Sequence, residues 1–213
     1  MNVALITGAS SGIGESTAKH FIERGWRVCA TARHLENFGA WSHASQVTRI
    51  SLDVTDPVSV QTAVQECLYM AGRIDVLVNN AGIGMAGRFL ETTPAHWDNI
   101  LAVNLRGVLN GSRSFATQMV DRGQGGTIIN VSSAAAFLPS KSMIAYGTTK
   151  AAVLAFSESL RADLADDCIT VTAVCPGFVN TNIAKSTVYA GMSPDEQDSA
   201  ARPPSSAATR SSS

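Results

Sequence analysis

Short apolar segments alternate with amphipathic segments along most of the chain. Six apolar segments are typical of strands buried on both faces, at 3–7, 27–32, 47–52, 74–80, 126–133 and 169–175. Helical periodicity lies between them, at 15–24, from residue 57 onward, at about 97–120 and at 145–165. This alternation predicts an α/β fold, a Rossmann-like doubly wound parallel sheet with helices on both faces.

The chain of 213 residues is long enough for one domain, which we place at residues 1–198. The remaining segment, 199–213, is built from Ser, Ala, Pro, Arg and Thr without an apolar face. It buries too little surface to offset its ordering entropy, so we expect a disordered tail.

Composition restricts the functional classes. The net charge is −1 and no segment concentrates Lys or Arg, so neither nucleic acid nor an anionic membrane surface is indicated as a partner. No run of 18 apolar residues predicts a membrane span. The start of the chain is too short and uncharged for a secretory signal, so we expect a cytoplasmic protein.

The four cysteines are Cys29, Cys67, Cys168 and Cys175. They form no C-x-x-C motif, and no histidine lies near them at ligand spacing. We therefore expect buried free thiols in a reducing compartment, with neither a disulfide framework nor a metal site.

The segment "TGASSGIG" joins the first predicted strand to the first helix. Its glycines, Gly8, Gly12 and Gly14, are spaced G-x-x-x-G-x-G, which differs from the usual G-x-G-x-x-G dinucleotide pattern. Glycines allow close approach to a pyrophosphate, and a helix N-terminus together with Ser10 and Ser11 supplies donors. The alternative is a tight strand–helix connection that binds no ligand.

Arg33 follows the second predicted strand, where dinucleotide sites often carry an acidic residue for the ribose 2′-hydroxyl. A guanidinium there suits a 2′-phosphate, so NADP(H) is favoured over NAD(H). The alternative is a solvated surface arginine.

Tyr146 and Lys150 lie one turn apart at the start of a predicted helix, and Ser133 ends the preceding strand. An ammonium beside a phenol lowers the phenol pKa, which would make Tyr146 a usable general acid and base. Ser133 could hold a substrate oxygen beside it. A chance Y-x-x-x-K pair on a surface helix, and a serine that caps a turn, remain alternatives.

Taken together, these motifs resemble those of the classical short-chain dehydrogenase/reductase family. The resemblance extends over about residues 1–185. It rests on Thr7-Gly8-x-x-x-Gly12-x-Gly14, Asn79-Asn80-Ala81-Gly82, Asn104 in "AVNLRGV", Ser133 in "INVSS", Tyr146-x-x-x-Lys150, and Pro176-Gly177 followed by Thr181. The glycine spacing is this family's own version.

The resemblance implies four catalytic residues. Tyr146 would be the acid and base, Lys150 would lower its pKa and bind the nicotinamide ribose, and Ser133 would orient the substrate carbonyl. Asn104 would hold a water that links Lys150 to solvent, and asparagine inside a helix is otherwise unfavourable.

The resemblance also implies a cofactor site. Asp53 would meet the adenine, Asn80 to Gly82 would pass beside the adenosine ribose, and Thr181 would contact the carboxamide, while Asn79 braces the sheet. The implied cofactor-binding residues are Gly8, Ser10, Ser11, Gly12, Ile13, Gly14, Arg33, Asp53, Val54, Asn80, Ala81, Gly82, Tyr146, Lys150, Pro176, Gly177 and Thr181.

The implied function is hydride transfer between NADP(H) and a small carbonyl or alcohol substrate. We expect residues 84–86, 134–144 and 178–183 to line an apolar substrate wall, although they would equally suit the core. Members of the family continue into a seventh strand, which this sequence does not show, so reduced stability and self-association are expected. A cofactor-binding but catalytically impaired homologue is the alternative function. The family often forms homo-oligomers through two long helices, here about 97–120 and 145–165.

Overall fold

The computed structural model of the chain describes residues 1–177, 179, 183, 187–191, 193 and 197. The expected tail at 199–213, and Phe178 and Thr181 of the expected site, lie outside the described residues. No helix among those described is both long and apolar enough to cross a membrane.

A six-stranded sheet forms the centre of the molecule, and all of its pairings are parallel. Its strands are β1 (Val3–Ile6), β2 (Arg27–Ala32), β3 (Val47–Ser51), β4 (Val76–Asn79), β6 (Gly126–Val131) and β7 (Ile169–Val174). Their spatial order is β3-β2-β1-β4-β6-β7, which confirms the predicted Rossmann-like sheet. The order reverses between β1 and β4, where such sheets open a crevice at their carboxyl ends.

Helices cover both faces of the sheet. The helices are α1 (Gly12–Glu23), α2 (Pro57–Ala71), α3 (Pro94–Leu101), α4 (Gly107–Arg122) and α5 (Ile144–Asp163). Residues of α2, α4 and α5 pack with one face of the strands around Leu5, Leu77 and Ile128. Residues of α1 pack with the other face around Ile6 and Val28.

The helix expected at about 97–120 is longer than predicted and is interrupted. It begins at Pro94, because Thr93 accepts a hydrogen bond from the His96 N–H as a side-chain cap. A π-helical segment, Ala102–Arg106, then separates α3 from α4. A two-stranded parallel pair, β5 (Met85–Ala86) and β8 (Val188–Tyr189), lies beside the main sheet.

The expectation of free thiols is wrong for two of the four cysteines. Cys29 on β2 and Cys67 on α2 form a disulfide, with their Cα atoms 6.1 Å apart. Their 38-residue separation gives no motif, and the pairing arises because α2 packs across the sheet over β2. Cys168 and Cys175 are free, the first exposed and the second half-buried.

Candidate active site

An open cleft of about 680 Å³ lies at the carboxyl ends of the central strands. Its size is in the range of small-molecule and cofactor sites. It brings together most residues expected from the sequence, namely Gly8, Ser10, Ser11, Gly12, Ile13, Arg33, Asp53, Val54, Asn80, Ala81, Gly82, Ser133, Tyr146, Lys150, Pro176 and Gly177.

The glycine segment forms the floor at one end of the cleft. Gly8 and Gly12 have φ angles of +64° and +57°, a conformation that favours glycine. A Cβ on Gly14 would collide with the carbonyl oxygen of Gly8, so Gly14 allows α1 to pack against the loop. Since α1 begins at Gly12, its unpaired first N–H groups lie at the cleft.

Thr7 and Asn80 hold this loop in place. The Thr7 hydroxyl accepts hydrogen bonds from the N–H groups of Asn80 and Ala81, at 2.9 and 3.0 Å. The Asn80 amide donates to the carbonyl oxygens of Thr7 and Gly8, at 2.9 and 3.0 Å. Asn80 therefore braces the glycine loop through its side chain.

A second bracing asparagine lies under the floor of the cleft. The Asn79 amide donates to Ser112 on α4 at 3.0 Å and to Asn130 on β6 at 2.8 Å. These bonds connect β4 to the neighbouring strand and helix, in agreement with the sheet-bracing role expected for Asn79.

Arg33 and Asp53 line the far end of the cleft, together with His34, Asn37 and Thr55, which the sequence analysis missed. Hydrogen bonds from the Thr55 side chain and backbone hold the pKa of the Asp53 carboxyl below its ordinary value, and the Arg33 charge adds to this. Asp53 accepts from the N–H of Thr55 at 2.9 Å, two residues on. Such a turn is typical of "DVT", so this pattern could have indicated Thr55.

Ser133, Tyr146 and Lys150 converge at the opposite end of the cleft. Ser133 follows β6 and accepts a hydrogen bond from the Ala135 N–H at 3.2 Å, so it also caps a short turn. Tyr146 lies in the first turn of α5. Burial raises the pKa of the Tyr146 phenol above its ordinary value, and a hydrogen bond with the Ser133 side chain opposes this shift.

Lys150 lies deep in the cleft wall and is only 4% exposed. Burial lowers the pKa of its ammonium from 10.5 to about 8, partly opposed by the nearby Cys175. The ammonium donates to the Val131 carbonyl oxygen at 2.9 Å and lies 5.8 Å from the centre of the Tyr146 ring. The expected lowering of the Tyr146 pKa is not observed, because burial disfavours the charged form of each group.

Asn104 lies in the π-helical segment, is completely buried and does not line the cleft. Its side chain is bonded to the backbone of Ile83 and to the Thr149 hydroxyl. Gly82 separates it from Lys150, since a Cβ on Gly82 would lie 3.3 Å from Asn104 Oδ1 and 3.6 Å from Lys150 Nζ. The water expected to connect Asn104 with Lys150 stays a prediction.

The expected substrate wall is present only in part. Met85 and Ala86 are buried, Met85 among core residues of α3 and α5. Phe137 and Leu138 are 62% and 67% exposed. Val179 and Ile183 of the expected segment 178–183 line the cleft, together with Ile83, which was not expected from the sequence. No group of three or more His, Cys, Asp or Glu could hold a metal ion within the part of the chain that the structure describes.

The sequence is similar to that of a known protein family and of several of its members. The sequence profile of the family described as short chain dehydrogenase matches residues 2–190. A probable oxidoreductase, EphD of Mycobacterium tuberculosis, is 40% identical over 199 residues, which are 90% of this chain. The 2-(R)-hydroxypropyl-CoM dehydrogenase of Xanthobacter autotrophicus is 40% identical over 188 residues, which are 84% of this chain and 75% of that protein.

Solved structures superimpose closely on the fold. A short-chain dehydrogenase from Streptomyces avermitilis has a TM-score of 0.84 at 34% identity, covering 93% of this chain and 75% of the other. A homologue from Burkholderia phymatum in complex with NAD has a TM-score of 0.84 at 30% identity, covering 87% and 68%. A gluconate 5-dehydrogenase from Burkholderia cenocepacia with NADP and tartrate has a TM-score of 0.81 at 31% identity, covering 86% and 74%.

The aligned lengths differ between these relatives. The chain spans about a third of the length of EphD, since the match covers 33% of that protein. It spans about two thirds to three quarters of the three solved structures.

Proposed function

We propose that this chain, which belongs to the classical short-chain dehydrogenase/reductase family, transfers a hydride between NADP(H) and a carbonyl or alcohol substrate. The observation that carries the proposal is the convergence of Ser133, Tyr146 and Lys150 in the same cleft as the glycine loop. A nicotinamide cofactor is supported by neighbours of the same fold that hold NAD or NADP.

The residues present fit such a cofactor. The cleft extends without interruption from the glycine loop to Tyr146, and Gly8, Gly12 and Gly82 keep Cβ atoms out of its floor. The start of α1 suits the pyrophosphate, because its first N–H groups lack partners within the helix. When bound, the cofactor would supply or accept the hydride.

Arg33 supports NADP(H) as the cofactor. Its guanidinium is exposed at the end of β2, where it can meet a 2′-phosphate, and it lies near the Asp53 charge. A phosphate on this arginine gains charge-assisted hydrogen bonds that a 2′-hydroxyl cannot match. Asp53 accepts hydrogen bonds from the Thr55 N–H and hydroxyl at the single oxygen Oδ1, at 2.9 and 2.7 Å.

Tyr146 would transfer the proton at its phenol oxygen. Its raised pKa keeps it protonated at neutral pH, the state that donates to a carbonyl oxygen during reduction. Ser133, which interacts with Tyr146, would orient the same carbonyl oxygen. Lys150 would bind the nicotinamide ribose through its ammonium, which is still charged below about pH 8.

Ile83, Val179 and Ile183 line the cleft and favour an apolar portion of the substrate. Several expectations stay predictions. They are the cytoplasmic location, the homo-oligomer through the two long helices at about 97–120 and 145–165, the absence of nucleic-acid partners and the roles of individual site residues.

The test measures cofactor binding and turnover separately. We expect NADPH to raise the melting temperature more than NADH does, because only NADPH carries the 2′-phosphate proposed to bind Arg33. A ligand at 100 times its dissociation constant adds about 2.7 kcal/mol to the free energy of unfolding. We expect NADPH oxidation with at least one member of a panel of ketones, aldehydes and quinones. A chain that is stabilised by NADPH but oxidises none of the panel would instead be a cofactor-binding homologue that is catalytically impaired.

Replacing Tyr146 with phenylalanine tests whether the Tyr146 phenol is the proton donor. The Tyr146→Phe variant should lose about 10²- to 10⁴-fold in kcat, because it lacks the transferable proton. Most of the melting shift by NADPH should remain, since the ring still fills its place in α5. Retained turnover in this variant would remove Tyr146 from the mechanism.

A further inference from the structure

A buried hydroxyl lies between the two proposed active-site residues of α5. Thr149 has no exposed surface, although it directly precedes Lys150 and follows Tyr146 by three residues. Its hydroxyl donates to the Tyr146 carbonyl oxygen at 2.8 Å. The Thr149 hydroxyl oxygen in turn accepts a hydrogen bond from Asn104 Nδ2 at 3.2 Å. Thr149 therefore connects the turn that carries Tyr146 to the π-helical segment.

The amide of Asn104 can take only one orientation in this arrangement. Its Oδ1 accepts from the Ile83 N–H at 2.8 Å, and its Nδ2 donates to the Ile83 carbonyl at 3.0 Å. The second Nδ2 proton goes to Thr149. A rotated amide would set two donors against each other at Ile83, so every polar group of Asn104 is satisfied only as observed.

These bonds extend from α5 to the cleft itself. Ile83 lines the cleft, and Gly82 beside it separates Asn104 from Lys150. A π-helical turn such as Ala102–Arg106 is rare and often found at functional sites. Asn104 uses this turn to reach Ile83, and Thr149 supplies the remaining acceptor. The path thus joins the Tyr146 turn to the part of the wall nearest the reacting groups.

We propose that Thr149 is a positioning residue that fixes the Tyr146 turn relative to Asn104 and Ile83. This inference rests on the proposed function, because its effect on rate requires Tyr146 to transfer the proton. Without the hydroxyl, one buried Nδ2 proton loses its acceptor, and the Tyr146 carbonyl loses a donor. The proton donor would then be held less accurately, which lowers kcat more than binding.

The chain offers a matched control on the same helix. Ser157 is also buried, donates to the Val153 carbonyl at 2.7 Å and accepts from the Asn130 amide at 2.9 Å. It thus makes the same pair of bonds as Thr149, but its amide partner is Asn130 on β6, whereas that of Thr149 is Asn104. Removing its hydroxyl should affect stability without affecting the chemical step.

The kinetic test compares Thr149→Val, Thr149→Ser and Ser157→Ala with the wild type, well below every melting transition. We expect Thr149→Val to lower kcat by about ten-fold, with the NADPH dissociation constant and the KM of the carbonyl substrate within about three-fold. Thr149→Ser should restore kcat, and Ser157→Ala should keep it while lowering the melting temperature. An unchanged kcat in Thr149→Val, or an equal loss in Ser157→Ala, would overturn the proposal.

A second measurement does not depend on turnover. The backbone N–H of Ile83 donates a hydrogen bond to Asn104 Oδ1, so its hydrogen-exchange rate reports how firmly the Asn104 side chain is held. We expect it to exchange about ten-fold faster in Thr149→Val than in the wild type, and at the wild-type rate in Thr149→Ser and Ser157→Ala. If the wild type reduces no carbonyl, the proposed function fails, and this exchange alone decides whether Thr149 anchors the site. Unchanged Ile83 exchange in Thr149→Val would refute the anchoring.

Discussion

Replacing Lys150 with methionine should stabilise the fold at neutral pH, and this gain should disappear at alkaline pH. Lys150 is 4% exposed, and burial lowers the pKa of its ammonium from 10.5 to about 8. Between these two pH values the unfolded chain binds a proton that the folded chain does not. The stability of the wild type therefore rises with pH across this interval and is lowest below about pH 8.

The size of the effect follows from the pKa difference. A fall from 10.5 to about 8 corresponds to about 3 kcal/mol of destabilisation at pH 7. Methionine removes this cost but also removes the hydrogen bond to the Val131 carbonyl, which contributes about 1 kcal/mol. We therefore expect Lys150→Met to be about 2 kcal/mol more stable than the wild type at pH 7, although it should lose cofactor-dependent activity.

The assay is urea denaturation of both proteins without cofactor, at pH 7 and pH 9.5. The difference in free energy of unfolding between Lys150→Met and the wild type should shrink by about 2 kcal/mol from pH 7 to pH 9.5. The wild type becomes more stable over this range because the buried Lys150 amine is neutral at the higher pH. Lys141→Met is the matched control, because Lys141 is exposed and its replacement should change stability by less than about 0.5 kcal/mol at both values. A difference between wild type and Lys150→Met that is constant with pH would refute the reasoning.

Three further predictions concern the cofactor and the glycine loop. Arg33→Leu should raise the NADPH dissociation constant by about ten-fold or more and leave that of NADH within about two-fold, measured by fluorescence titration; an equal change for both would remove Arg33 from cofactor selection. NADPH affinity should weaken as pH rises through about 8 in the wild type but not in Lys150→Met, because the Lys150 ammonium is lost there; parallel titrations in both proteins would contradict this. Gly14→Ala should destabilise the fold by about 1–3 kcal/mol, since its Cβ would meet the Gly8 carbonyl. Gly177→Ala should not, because among the described residues its Cβ would have no neighbour within 4 Å; equal melting temperatures would argue against tight packing at Gly14.

The sheet and most of the cleft could be predicted because their signals are local. Each buried strand is a short apolar run. Each predicted strand end lies within two residues of the observed one. The glycine loop, Arg33 and Ser133 follow strands within a few residues, and Tyr146 lies in the first turn of the helix after β6. Parallel strands place their carboxyl ends along one edge. Sequence position alone therefore brings these residues to one crevice.

The remaining features depend on contacts between distant segments. The Cys29–Cys67 disulfide follows from helix packing over β2, and the π-helical turn at Asn104 follows from bonds to Ile83 and Thr149. Neither the disulfide nor the π-helical turn corresponds to a local pattern in the sequence. The pKa of Tyr146 was expected to fall because the spacing places Lys150 one turn away. Spacing does not show how deeply both groups are buried, and burial is the larger influence on each.

Burial also changes the order in which these two groups lose their protons. Lys150 titrates at about 8, whereas the pKa of Tyr146 lies above its ordinary value of 10.0, so the amine becomes neutral before the phenol ionises. A neutral phenol can donate a proton to a carbonyl oxygen, but only a phenolate can accept one from an alcohol. Under the proposed function, a phenol that remains neutral at pH 7 suits carbonyl reduction there, and alcohol oxidation should increase as the pH rises. The measurement is kcat in both directions at saturating cofactor, so that weaker cofactor binding above about pH 8 does not contribute. An alcohol-oxidation rate that does not increase with pH would contradict this role of the Tyr146 phenol.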